Sequence, residues 1–166
     1  EGIHPKISYG VGKNGTQETL VSINGSQDGF RGSIAAADYY THGMDNLIDD
    51  AGTNWDDDAF RNNSISTSIG YAFDNGTDIE LSHYKSDGEN EYDNGFAPST
   101  KPYLTAGVET TSFKWEQPVI SDIWKSTVLL GRAHNNSEDF DDLNDTTFSK
   151  FNTTRDSANW QNDFSF

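Results

Sequence analysis

The chain has 166 residues, with 27 acidic and 11 basic side chains, a formal net charge of −16 and 33% hydrophobic residues. The charge excludes a nucleic-acid binder and disfavours docking on anionic membrane surfaces, because both need clustered Lys and Arg. With no cysteine there is no disulfide or thiolate metal site, the longest apolar run, Ile34 to Ala37, is far short of the about 20 residues of a membrane helix, and 10 Phe, 7 Tyr and 4 Trp argue against disorder.

Glu1-Gly2-Ile3-His4-Pro5 reads like the middle of something, so a fragment is expected. Eight strands are expected, over 6–13, 16–25, 29–42, 60–74, 77–87, 104–117, 123–136 and 152–166. Gly10-Val11-Gly12 falls in the first with no helix after it, so it is not a phosphate cradle. The third is ambiguous, since Ile34 to Ala37 gives no clear face. The fourth carries the strongest pattern. Its odd positions are Ile65, Thr67, Ile69, Tyr71 and Phe73; its even positions are Ser64, Ser66, Ser68, Gly70 and Ala72. One face is greasy and the other wet. In the fifth strand Ile79 and Leu81 alternate with Asp78, Glu80 and Ser82. In the sixth, Phe113 and Trp115 share a face; in the seventh, Trp124, Val128 and Leu130 do; in the last, Trp160, Phe164 and Phe166 do. Such alternation suits a soluble sandwich with the greasy face inward, or a membrane barrel with it outward.

The connections separate these two readings. Ser26 to Gly29, Asn75-Gly76 and Pro118 to Asp122 are short, and Asn-Gly is the preferred pair of a type I′ hairpin. Long connections are expected over 43–59, 88–103 and 137–151. In an up-and-down sheet these alternate, so the long ones emerge on one side, as in outer-membrane barrels. A Greek-key sandwich has no need of that segregation. The long connections also hold over half of the acidic residues, among them Asp45, Asp56, Asp57, Asp58, Glu91, Asp93, Glu138 and Asp139. Such loops suit calcium, which takes 6–8 oxygen ligands and needs no His or Cys. No stretch has EF-hand spacing, and a solvated acidic surface is the alternative.

His4, His42, His83 and His134 form no metal motif, and no nucleophile elbow or P-loop is present. No catalytic residue is assigned. The Asn-x-Ser/Thr sequons, such as Asn14-Gly15-Thr16, are expected from composition alone.

Tyr40-Thr41-His42-Gly43-Met44-Asp45, then Asp56-Asp57-Asp58-Ala59-Phe60, Asn90-Glu91-Tyr92-Asp93 and Ser157-Ala158-Asn159-Trp160-Gln161-Asn162 form an ordered series. That series resembles TonB-dependent outer-membrane receptors of the cobalamin type. The resemblance covers essentially the whole chain and implies an all-β fold, an antiparallel transmembrane β-barrel. Residues 1–166 would be about the first eight strands of a 22-stranded barrel, with the plug domain absent. It implies uptake of cobalamin or a similar large chelate across the bacterial outer membrane, with TonB acting through the missing plug. By resemblance, Asp45, Asp56, Asp58, Tyr92 and Asp93 are calcium ligands in the extracellular loops. A further family aspartate before the sixth strand has no match, because the segment reads Ser99-Thr100-Lys101-Pro102. A siderophore or haem receptor of the same fold, a complete eight-stranded barrel and a soluble calcium-binding β-sandwich are the alternatives.

Overall fold

In the computed structural model, residues 2–44, 57–93, 101–120, 123–141 and 146–165 are described. The fold is all-β. Eight strands run in chain order: β1 (Gly2–Val11), β2 (Gln17–Gln27), β3 (Phe30–Thr41), β4 (Phe60–Ala72), β5 (Asp78–Glu91), β6 (Tyr103–Ile120), β7 (Trp124–Asp141) and β8 (Thr146–Phe164). They form one antiparallel sheet in the order β1 to β8, each strand paired with its sequence neighbours. The sheet is not closed: β1 and β8 are its edges.

All eight expected strands are present, but the later ones are longer than the sequence suggests. β7 runs to Asp141 and β8 begins at Thr146, so the expected long connection over 137–151 shrinks to 142–145. Charged residues need not leave a sheet when a cross-strand partner meets them. Here Lys150 of β8 donates to Glu138 of β7, and Phe140 stacks on Tyr103 with centroids 4.8 Å apart. The long connections 42–59 and 92–102 do leave the same end of the sheet, which also carries 12–16 and 142–145. The opposite end carries 28–29, 73–77 and 121–123.

One turn differs from expectation. Asn75 is not in the left-handed region, so Asn75-Gly76 does not make a type I′ hairpin. Gly76 N–H instead donates to Phe73 O at 2.9 Å, and Thr77 N–H donates to the Asn75 side chain at 3.0 Å. Only Gly76 needs positive φ, at 82°. The pair with both central residues at positive φ between β2 and β3 is Asp28 (49°) and Gly29 (84°). Positive φ at both central residues is the type I′ geometry, whose twist matches that of the flanking strands.

The register sorts the side chains into two faces. On the first lie Ile3, Ile7, Tyr9 and Val11 of β1, Val21 and Ile23 of β2, Phe30, Ile34 and Ala36 of β3, and Ile65, Ile69 and Tyr71 of β4. Ile79 and Leu81, Phe113 and Trp115, Val128 and Leu130, and Ala158 and Trp160 continue that face through β8. Most of these apolar side chains are exposed, Ile7 at 77% and Ile69 at 59%, and among the described residues no hydrophobic side chain is buried. The second face is small and polar, as in the Ser33–Ser68 hydroxyl contact at 2.8 Å and the Asn62–Ser86 bond at 2.9 Å. Among the described residues there is one sheet and no second layer over it, which is not the two-sheet packing of a sandwich.

The apolar surface is a slanted band. Its last member toward the long-connection end is Val11 on β1, which lies level with Arg61 through Gln17 and Tyr40. On β2, β3 and β4 the band proper ends at Val21, Ala36 and Ile65, one level with the next. On β5 to β8 it ends at Leu81, Phe113, Leu130 and Ala158, all level with Ile69, and the aromatic rings of Tyr40, Tyr103 and Phe140 stand apart from it beyond intervening polar residues. Beyond that edge come Lys85, Glu109 and the Arg132–Asp156 pair, two-pronged at 2.7 and 3.0 Å. The edge thus drops from the level of residue 61 to that of residue 69 across the sheet, slightly more than one residue per strand. At about 3.4 Å per residue and 4.8 Å between strands, that is a slope of roughly 40°.

Candidate functional site

The long-connection end gathers the chemistry. Gly43, with φ at 71°, brings the chain against Asp58: a Cβ there would lie 1.9 Å from the Asp58 carbonyl oxygen. Only glycine permits that approach. Asp58 N–H donates to Met44 O at 3.4 Å, and His42 N–H to Asn14 O at 2.9 Å. The two ends of the 42–59 connection are therefore held together, and tied to the neighbouring 12–16 turn.

The same corner meets β5. Ala59 N–H donates to Glu91 Oε2 at 3.3 Å, and Glu91 N–H donates to Ala59 O at 2.9 Å. Asp58 thus stands one residue before the Ala59–Glu91 pair, and Tyr92 and Asp93 follow it directly. Tyr92 N–H donates to Pro102 O at 3.1 Å. Its phenol reaches past β6 and donates to Asp139 Oδ1 on β7 at 2.5 Å. Asp58, Tyr92 and Asp93 are half-buried, and Oδ2 of Asp93 is shielded from solvent.

Of the expected calcium ligands, Asp58 precedes and Tyr92 and Asp93 follow the Ala59–Glu91 pair that joins the ends of β4 and β5. Asp45 and Asp56 lie outside the described residues. Among the described residues no group of three or more His, Asp or Glu side chains is placed to hold a metal ion together. The donor chemistry at the corner is carboxylate, phenol and carbonyl oxygen with no thiol, which fits a hard cation such as calcium. Asp139 is the residue that sequence reading missed here. It counts as one acidic residue in a loop until the register shows it on β7, opposite Ser149 and within reach of Tyr92.

A second polar cluster lies at the short-turn end, on the wet face. Arg31 of β3 reaches across β4 to β5. Its Nη1 and Nη2 donate to Asp78 at 2.6 and 2.8 Å, and its Nη2 and Nε donate to Glu80 at 2.9 and 3.2 Å. The guanidinium passes over Gly70, where a Cβ would lie 2.6 Å from Arg31 Cζ. Next to it Glu116 pairs with Lys114 at 3.0 Å and Lys125 at 3.4 Å. These groups are mutually satisfied and fasten β3, β4 and β5, and β6 to β7, across the sheet. Near the same end, on the apolar face, Trp124 Nε1 donates to Asn162 at 3.0 Å and Trp160 Nε1 to Ser126 at 2.8 Å.

No protein-family model matches the chain, and no curated protein matches it.

Proposed function

We propose that the chain is part of an outer-membrane β-barrel of the TonB-dependent receptor type. It would form about the first eight strands of a 22-stranded wall. The observation that carries this reading is the slanted band. Strands in outer-membrane barrels tilt by about 35–45° to the membrane normal, under a flat apolar belt about 25 Å tall. A flat belt drawn on tilted strands shifts along each successive strand, and the slope found here, roughly 40°, is of that size. From Ile65 of β4 to Phe73, just past its end, the belt covers roughly 27 Å along the strand direction, about 21 Å in height at that tilt. The indole N–H groups of Trp124 and Trp160 have partners within the sheet, as a lipid-facing position requires. The open edges of β1 and β8 suit a wall that continues on both sides.

The ligand in this reading is cobalamin or a similar large chelate. It binds among the long connections, and transport follows when TonB acts on a plug domain. There is no covalent catalysis. Asp45, Asp56, Asp58, Tyr92 and Asp93 would hold calcium, which when bound cancels repulsion between the loop carboxylates. Asp58 and the Tyr92–Asp93 pair are contributed by the two loop ends that the Ala59–Glu91 bonds already join. The cation would extend that join from the strand ends into the 43–59 and 88–103 segments.

Two measurements test the reading. The chain has no cysteine, so single cysteines report cleanly. Ser66→Cys and Ser68→Cys should react with a water-soluble maleimide in the lipid-embedded protein, and Ile34→Cys and Ile69→Cys should not. Equal labelling on both faces would end the membrane assignment. Fluorescence quenching of the full-length receptor, with and without Ca²⁺, tests the ligand. Tight ferric-siderophore binding without corrinoid binding would remove the cobalamin assignment and keep the receptor.

A further inference from the structure

We propose that the upper edge of the apolar band carries a seat for one zwitterionic phospholipid with a primary ammonium, phosphatidylethanolamine in chemical class; the inference rests on the membrane reading above. A groove of about 460 Å³ lies across β2 to β5 where the band ends. Val21, Ala36, Ile65 and Lys85 stand at one level of the sheet, and Asp38 and Asp87 at the next, all on the apolar face. Ala36 makes the hollow, since it offers one methyl between the larger Val21 and Ile65. The floor therefore continues the band and suits an acyl chain. The rim above it carries both signs of charge. Arg61 meets Asp38 at 3.4 Å and Lys85 meets Asp87 at 3.0 Å, so the rim is neutral as a whole. Both pairs are exposed single contacts, and such pairs contribute little, so they exchange partners at small cost. A head group with a phosphate alone leaves Asp38 and Asp87 unanswered. One with phosphate and ammonium answers both signs: Arg61 and Lys85 donate to the phosphate, and the ammonium donates to the two carboxylates. A quaternary ammonium has no N–H to donate. The Arg132–Asp156 pair on the same face closes on itself with two bonds, at 2.7 and 3.0 Å, and leaves no such opening.

Native mass spectrometry of the full chain in detergent tests the seat, with phosphatidylethanolamine, phosphatidylcholine and phosphatidylglycerol of identical acyl chains as probes. Phosphatidylethanolamine should be retained about tenfold more tightly than either of the others, the size of one hydrogen bond to a charged group. Ala36→Leu fills the hollow and should remove that preference. Asp38→Asn with Asp87→Asn leaves Arg61 and Lys85 without their carboxylates, and should turn the preference to phosphatidylglycerol. Maleimide labelling at Ser66→Cys and Ile69→Cys, repeated in each variant, checks that the same face still meets lipid. Equal retention of phosphatidylethanolamine and either other lipid by the unsubstituted chain would overturn the inference. So would a preference that survives Ala36→Leu, or one that the double amide variant leaves unchanged. Labelling of both faces in the unsubstituted background would overturn the membrane reading itself, which separates the two failures.

Discussion

Ile7, Ile65 and Val11 give the sharpest test of the slanted belt. Ile7 and Val11 share strand β1 and the apolar face, and they are equally exposed, at 77% and 74%. Ile7 and Ile65 lie at one hydrogen-bonded level, joined through Val21 and Ala36. The slant separates all three. On β1 the belt runs from Ile3 to Val11, with Ile7 at its middle; on β4 it runs from Ile65 to Phe73, with Ile65 at its edge. In the proposed barrel, four residues along a strand tilted by about 40° place Val11 and Ile65 each about 10 Å above the midline. An arginine on the lipid face costs about 2–4 kcal/mol at the midplane and about 0–1 kcal/mol near the interface. Ile7→Arg should therefore destabilise the protein by about 3 kcal/mol, and Val11→Arg and Ile65→Arg by less than about 1 kcal/mol. Urea titration of the lipid-embedded protein, followed by tryptophan fluorescence, reads the difference. Equal costs at Ile7 and Ile65 would mean that the apolar surface follows the hydrogen-bonded level and not a tilted membrane plane.

Three further outcomes follow from particular contacts. Gly70→Ala should be close to neutral in the unsubstituted chain, because relief of a strand glycine, about 0.5–1 kcal/mol, offsets displacement of the Arg31 guanidinium. In an Arg31→Ala background the same change should stabilise by that amount, and a double-mutant cycle without coupling would refute the contact. Gly29→Ala should cost more than about 1 kcal/mol in the same urea assay, since φ is 84° and the new Cβ would lie 2.5 Å from the Ala72 carbonyl oxygen. Asp56→Ala combined with Asp58→Ala should abolish Ca²⁺ protection of the 43–59 segment against protease; unchanged protection would remove these residues from the ligand set.

The strand count and the alternation of β4 were legible because period two is written directly in Ile65 to Phe73. The third strand was opaque for a physical reason. Ala35 and Ala37 on its wet face are as apolar as Ala36 on its greasy one, so only pairing with Val21 and Ile65 assigns the faces. The ends of β7 and β8 were misjudged because Glu138 and Lys150 look like loop residues until they are seen to face each other. Asp58, Tyr92 and Asp93 are expected from the family resemblance, and the sheet sets β4 beside β5, at whose ends they stand. The Tyr92–Asp139 contact is not legible in the sequence, because it spans 47 positions of the chain.

The passage of Arg31 over Gly70 also bears on how the sheet finds its pairing. A slip of one residue in β4 would turn its greasy side chains to the wet face and is rejected at once. A slip of two keeps every face correct and is the dangerous error in a long meander of serines and threonines. It would shift Arg31 by two positions, roughly 7 Å, relative to Asp78 and Glu80, and the four bonds of the guanidinium are matched to the native alignment. The charge cluster thus separates the native pairing of β3, β4 and β5 from the one slip that hydrophobic patterning tolerates.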